Sequence, residues 1–217
     1  MHPLVCPACG ERGSAPDVVD PEGGRAFLAC ARCAHREPFA RLPLYCLAGP
    51  SGTGKSTVAR LLVPRVADRV VLLEQDLLWR PGFDDPAGAH REFRTAWLHL
   101  AAAIGQSGRP VLLAGTVVPP ELEPLPERAL FRGVHYLALT APADVLAARL
   151  RARPAWRGWD EPRIAETLEY AAWLAGAAAS LDPPVTLLDT AGLDAADVVP
   201  RVEDWLDGLG VRTRRMR

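Results

Sequence analysis

Gly49-Pro50-Ser51-Gly52-Thr53-Gly54-Lys55-Ser56 spells the pattern G-x-x-x-x-G-K-[ST], with Thr57 directly behind it. Glycines at 49, 52 and 54 let the chain turn tightly and bring backbone N–H groups around phosphate oxygens. Lys55 adds a positive charge for the β- and γ-phosphates, and the Ser56 hydroxyl is a Mg²⁺ ligand. The chemistry is capture of a nucleoside triphosphate, ATP in the first instance, with its magnesium ion. A glycine-rich turn that binds nothing is the plain alternative, and the flanks argue against it. Leu44-Tyr45-Cys46-Leu47-Ala48 reads as a buried strand, and Ser56 to Val66 as a helix whose N-terminal dipole faces the phosphates.

Four of the five cysteines form a second pattern. Cys6-Pro7-Ala8-Cys9 and Cys30-Ala31-Arg32-Cys33 are two C-x-x-C turns at the spacing of a four-cysteine zinc ribbon. Two thiolates on each turn give a tetrahedral S₄ site for zinc. With all four positions taken by protein, the ion has a structural role and no open coordination position. Phe27-Leu28-Ala29 is expected as the strand leading into the second pair. His35, two residues past Cys33, is an alternative ligand by position but is expected at the surface, because four thiolates already complete the site. Cys46, inside the strand before the phosphate loop, is expected to be a small buried apolar residue.

The elements that must position these groups alternate in type. After the phosphate-loop helix, Arg69 to Glu74 reads as a strand ending in Gln75-Asp76, followed by a loop at 81–88 and a helix from about Ala87 to Gln106 with Phe93, Trp97, Leu100, Ala101 and Ile104 on one face. Strands at 110–114, 134–139 and 185–188 and helices near 127–131, 142–152, 161–179 and 194–208 complete the series. Strands alternating with helices predict a three-layer α/β/α domain with about five parallel strands, preceded by a small zinc ribbon: residues 1–40 for the ribbon and 41–217 for the main domain.

A chain of 217 residues with 49% hydrophobic content has room for one such domain and its appendage. The net charge of -1 gives no global attraction to nucleic acid or to a membrane. Arg12, Arg25, Arg32 and Arg36 in the ribbon permit a polyanion contact, but no interleaved aromatic platform supports one, and nucleic acid is not predicted as a partner. Arg212, Arg214, Arg215 and Arg217 read as a solvated tail. No apolar run approaches membrane-spanning length and the first residues lack the order of a secretory signal, so a cytoplasmic location is expected.

Gly49 to Thr57, Asp76 at the end of the second main-domain strand and the arginine-bearing segment from Ala143 to Arg157 resemble the small P-loop kinases of the nucleoside and nucleotide kinase group. The resemblance covers about residues 43–208. It implies a P-loop kinase fold with a 2-3-1-4-5 parallel sheet, ATP with Mg²⁺, a small-molecule phosphoryl acceptor, and an arginine-rich lid over the phosphates.

Within that frame Asp76, at the carboxyl edge of the sheet, is the candidate to orient an acceptor hydroxyl, with turn capping as the bland alternative. Glu74 is expected on another face. Arg80 is placed to meet an anionic group of the acceptor, or is an ordinary loop residue. Arg149 and Arg153 stand four apart and are expected to share a helical face and act as lid arginines, with Arg157 as a third and Arg151 turned away. Salt bridges to Asp144, Asp160 or Glu161 are the alternative. The strand Val111 to Ala114 has no Walker B aspartate, which leaves Mg²⁺ to Ser56, the nucleotide, waters and Asp76. Gly115-Thr116 reads as a close backbone approach or a simple strand end. Asp189 to Gly192 reads as a turn near the adenine base or a loop with Asp194 as helix cap. Among the tryptophans, those on helices are expected in the core, and Trp156 and Trp159 near the lid are not. The acceptor expected from the resemblance is a nucleoside or nucleotide. An antibiotic, a sugar-like metabolite, a polynucleotide 5′-hydroxyl, or no acceptor at all in an ATP-dependent binding module, are the other readings.

Overall fold

The computed structural model describes residues 3–20, 26–79, 88 and 90–211. Arg25, Arg80, the loop at 81–87, the expected helix start at Ala87 and the terminal Arg212, Arg214, Arg215 and Arg217 lie outside those residues. Three short strands come first: β1 (Val18–Val19), β2 (Ala26–Ala29) and β3 (Arg36–Phe39). They form an antiparallel sheet in chain order, with Val18 opposite Leu28 and Ala29 opposite Arg36. So small a sheet cannot enclose a core of its own. Leu28 and Phe39 are instead buried in the core of the body that follows, with Val18 packed against it.

That body begins with β4 (Leu44–Ala48), buried along its whole length, and α1 (Lys55–Val66). Next come β5 (Val71–Glu74), α2 (Arg91–Gly105), β6 (Val111–Ala114), the short α3 (Pro119–Leu122) and β7 (Val134–Thr140). The series ends with α4 (Ala143–Arg151), α5 (Glu161–Ala177), β8 (Val185–Asp189) and α6 (Ala195–Gly208). The five strands run parallel in the order β5-β6-β4-β7-β8. Counted within the body this is 2-3-1-4-5, the order the resemblance implied.

Strand residues divide by parity, because successive side chains point to opposite faces. Leu44, Cys46, Val111, Leu113 and Tyr136 pack with Phe93, Trp97 and Ala101 of α2 and Leu174 of α5. Tyr45, Leu47, Leu112, Leu137 and Leu139 pack with Val58 and Leu62 of α1 and Val198, Val202 and Leu206 of α6. The two stripes are the two interfaces of a three-layer α/β/α sandwich. β4 lies at the centre between β6 and β7, and its carboxyl end is the crevice where such sheets bind ligands.

Local differences from the sequence reading have simple causes. The buried stripe of α2 runs through Trp97, Leu98, Ala101 and Ala102, so Leu100 falls on its margin and is 39% exposed. The 119–126 segment, read as a proline-rich lead, opens with α3; Pro119 and Pro120 occupy its first turn, where a missing N–H costs nothing. The Asp194 cap is present, paired with Asp197 in a capping box. No helix among the described residues is long and apolar enough to cross a membrane.

Candidate functional site

The phosphate loop leaves the carboxyl end of β4 and enters α1 at Lys55. Gly49 has φ +126, and a Cβ there would sit 2.2 Å from the Leu139 carbonyl oxygen of β7, so only glycine fits. The Thr53 hydroxyl is buried and donates to the Pro50 carbonyl at 2.9 Å, tying the loop across its own turn. Lys55 Nζ donates to the carbonyls of Gly49 and Pro50 at 2.6 and 2.9 Å. Gly54 caps α1 in a left-handed conformation with no side-chain bond, leaving the first-turn N–H groups to a ligand. Burial pulls the Lys55 ammonium down to about 8; Asp76 opposes the shift and Arg153 adds to it. A cation partly stripped of water, with only carbonyl partners, is poised for an anion.

A cavity of about 350 Å³ opens over this loop. Gly54, Lys55, Ser56 and Thr57 line one side, Glu74, Asp76 and Thr116 another, and Arg153, Trp156 and Arg157 the roof. Asp76 reaches it because the strand ends at Glu74 and residues 75–78 curl into a 3₁₀ turn. Glu74 was expected on another face; it lines the same cavity as Asp76. The 3₁₀ turn ends the strand's alternation after Glu74, so both carboxylates meet the cavity while Gln75 packs under Gly115. A Cβ at Gly115 would meet Gln75 Oε1 at 2.2 Å, so the close approach expected at 115–116 is present. β6 carries no carboxylate at its end, and Glu74, paired in register with Ala114, supplies one from the neighbouring strand.

The arginines separate. α4 ends at Arg151, so Arg153 lies past the helix and the shared-face geometry expected for Arg149 and Arg153 does not hold. Arg149 donates to the Gly52 carbonyl at 3.3 Å, while Arg153 and Arg157 line the cavity. Arg151 is turned away in a bidentate pair with Glu161, the only salt bridge among the expected alternatives within the described residues. Arg153 lies 5.0 Å from the centre of the Trp159 ring and Arg157 4.9 Å from that of Trp156, which is 78% exposed.

A second cavity of about 480 Å³ adjoins the first, and Ser51, Asp76, Thr116, Arg153 and Arg157 line both. Trp79, His90 and Phe93 line it as one aromatic group, with the Arg94–Glu121 ion pair and the stacked Trp159 and Arg163 completing the lining. Burial raises the Glu121 carboxyl, an effect Arg94 opposes. Sequence reasoning passed over Trp79, Glu121 and Arg163. Arg163 carried one readable signal: a cation in the first turn of α5 sits against the positive end of the helix dipole, an unfavourable place unless an anion is near.

At the other end of the chain the four Sγ atoms of Cys6, Cys9, Cys30 and Cys33 lie within 4.8 Å of one another. Cys6–Cys33 and Cys9–Cys30 are separated by 3.7 and 3.8 Å. Thiolates about 2.3 Å from a tetrahedral zinc stand about 3.8 Å apart, so the cluster has the size of that ion's shell. Backbone turns hold each pair: Gly10 N–H donates to the Cys6 carbonyl and Ala34 N–H to that of Cys30, both at 2.9 Å. His35 Nε2 lies 3.2 Å from Glu37 Oε2 and is not in the cluster. Cys46 is fully buried, which pushes its thiol well up.

A family model described as an AAA domain matches residues 46–172. No curated protein matches the chain. Among solved structures, a gluconokinase from Sinorhizobium meliloti 1021 is 21% identical, with 78% of this chain and 94% of that one covered and a TM-score of 0.52. A sugar kinase from Janibacter sp. HTCC2649 is 18% identical, with 80% and 99% covered and a TM-score of 0.58. A shikimate kinase from Acinetobacter baumannii, in complex with shikimate, is 19% identical, with 80% and 97% covered and a TM-score of 0.52. These likenesses establish the P-loop kinase fold. The family match runs from β4 through the phosphate loop and the arginine-bearing segment into α5, and by it the chain belongs to the AAA domain family.

Proposed function

We propose that the protein is an ATP-dependent phosphotransferase that moves the γ-phosphoryl group to a hydroxyl of a small molecule. The observation that carries this reading is the pair of adjoining cavities that share Asp76, Arg153 and Arg157. A donor chamber opening directly onto an acceptor chamber, with a carboxylate and two guanidinium groups at the seam, is the arrangement an in-line transfer needs. Phosphate-loop N–H groups and Lys55 hold the triphosphate. The Ser56 hydroxyl and the Glu74 carboxylate line the donor cavity and would hold Mg²⁺, whose charge would neutralise the phosphates. Asp76 orients the acceptor hydroxyl and takes its proton, while Arg153 and Arg157 stabilise the charge that builds on the transferred group. Arg149 acts through the loop it touches. The cysteine cluster holds a structural zinc ion in a ribbon spanning about residues 1–40.

The acceptor belongs to the small hydroxylated metabolites. Nucleosides and nucleotides fall in this class, and so do the substrates named for the gluconokinase, sugar kinase and shikimate kinase of the same fold. Incubation with γ-labelled ATP and a panel of nucleosides, nucleotides, sugars and hydroxy acids tests the reading: label is expected on an acceptor. Asp76→Asn is expected to lower kcat about 100-fold or more while leaving ATP affinity nearly unchanged. Wild-type turnover by that variant removes the base assignment, and ATP-dependent partner capture without transfer supports the binding-module reading in its place.

A further inference from the structure

We infer that the acceptor carries an acidic group of its own, a carboxylate or phosphate monoester, on a flat ring skeleton, and that Arg163 selects for that group. The inference rests on the kinase reading and concerns the lining of the acceptor cavity. Three arginines, Arg153, Arg157 and Arg163, gather there, and none has a carboxylate in ion-pair contact among the described residues. The Arg94 charge on the same cavity is already met by Glu121. Arg153 is destabilised as a cation by burial and by the charges of Arg157 and Arg163, which Asp76 offsets only in part. Such a cluster is held in place at a cost, and an anion relieves it.

The three arginines divide between two anions by position. Arg153 and Arg157 line both cavities and so face the transferring phosphate. Arg163 lines only the acceptor cavity. It is also fixed: Nη1 lies 3.1 Å from the Arg157 carbonyl and 3.3 Å from that of Gly158, and its guanidinium carbon is 4.2 Å from the centre of the Trp159 ring. A charge pinned this way, at the positive end of α5, is a pre-set anion ligand. In the same cavity the Trp79 indole packs edge-on to Phe93 at 5.0 Å and beside His90 at 5.1 Å, yet stays 49% exposed. An aromatic wall of this kind is complementary to a planar ring.

The experiment uses the full-length protein with ATP and Mg²⁺ and three matched pairs: shikimate and methyl shikimate, cytidine 5′-monophosphate and cytidine, D-gluconate and sorbitol. Transfer is read as kcat/KM, and binding to the ADP-loaded protein is measured separately by calorimetry. In at least one ring pair the acid is expected to exceed its neutral partner by roughly 10- to 100-fold and to exceed gluconate, and which pair responds tells carboxylate from phosphate. Arg163→Gln is expected to erase that difference through acceptor KM or Kd with ATP KM unchanged, and Arg163→Lys to restore part of it. Neutral members bound as tightly as the acids, no acid bound at millimolar concentration, gluconate ahead of both ring acids, or an Arg163→Gln effect on ATP KM alone would each overturn the inference. Acids bound selectively with no phosphate transferred would remove the kinase reading and leave the inference standing. Equal transfer to acid and neutral partners would do the reverse.

Discussion

Lys55 donates to two carbonyls and loses part of its hydration, which brings its ammonium down to about 8. A bound triphosphate favours the charged form and restores a higher value, so at and above pH 8 ATP binding must take up a proton. The sign is fixed: affinity holds below pH 8 and falls above it, by about tenfold between pH 7 and pH 9. Calorimetry in buffers of different ionisation enthalpy is expected to show proton uptake at pH 8.5, and Lys55→Ala to bind weakly with no such slope. The loop residues and the four cysteines stood out in the sequence because each belongs to a short pattern with a fixed chemical purpose, whereas Asp76 was singled out by its place after a strand and lines the cavity. Arg163 and Trp79 belong to none; only the fold brings them to one cavity. Glu74 lines the cavity beside Asp76 although the two belong to different elements, a strand end and a 3₁₀ turn, so strand parity does not decide their relative placement.

At the scale of elements, strand and helix identities followed from apolar runs and 3.6-residue stripes, and the five-strand order followed from the resemblance. Ends were less legible, and one end decided a functional assignment. α4 stops at Arg151, two residues before Arg153, and that separates Arg153, which faces the cavities, from Arg149, which rests on the Gly52 carbonyl. Helix ends depend on what the next segment packs against, here the Trp156 and Trp159 turn, and that is not local information. The junction of β4 and the phosphate loop is the opposite case, set by one position. Gly49→Ala places a methyl group against the Leu139 carbonyl at a φ that alanine avoids. It is expected to destabilise the fold by more than about 2 kcal/mol in urea unfolding, through displacement of β7 and with it the loop. A shift below about 0.5 kcal/mol would show that the loop and β7 separate freely.

Across the whole molecule the ribbon is built into the body. Leu28 and Phe39 belong to the same buried cluster as Trp97, Phe131 and Tyr136. Gln106, at the end of α2, accepts from the Ala40 N–H at 2.9 Å and donates back to its carbonyl at 3.2 Å. Arg41 reaches the Ala129 carbonyl and Asp20, each at 2.9 Å. None of this was readable beforehand, because every partner is distant in sequence and the ribbon alone looked like a self-contained metal module. Its consequence concerns metal removal. A ribbon on a flexible tether would unfold without troubling the body, whereas this one covers the apolar surface beside α2, whose other end carries Phe93 of the acceptor cavity. Stripping zinc with a chelator, or replacing Cys6 and Cys9 by serine, is therefore expected to cost the body at least about 2 kcal/mol, lowering the Tm of its main unfolding transition by roughly 4–8 °C. Metal analysis should give one zinc per chain before treatment. ATP affinity should change little, since α1 and α6 lie on the far face of the sheet, while acceptor binding weakens as α2 loosens. A separate low-temperature transition for the ribbon, with the main Tm unmoved, would mean that the shared core holds without the metal.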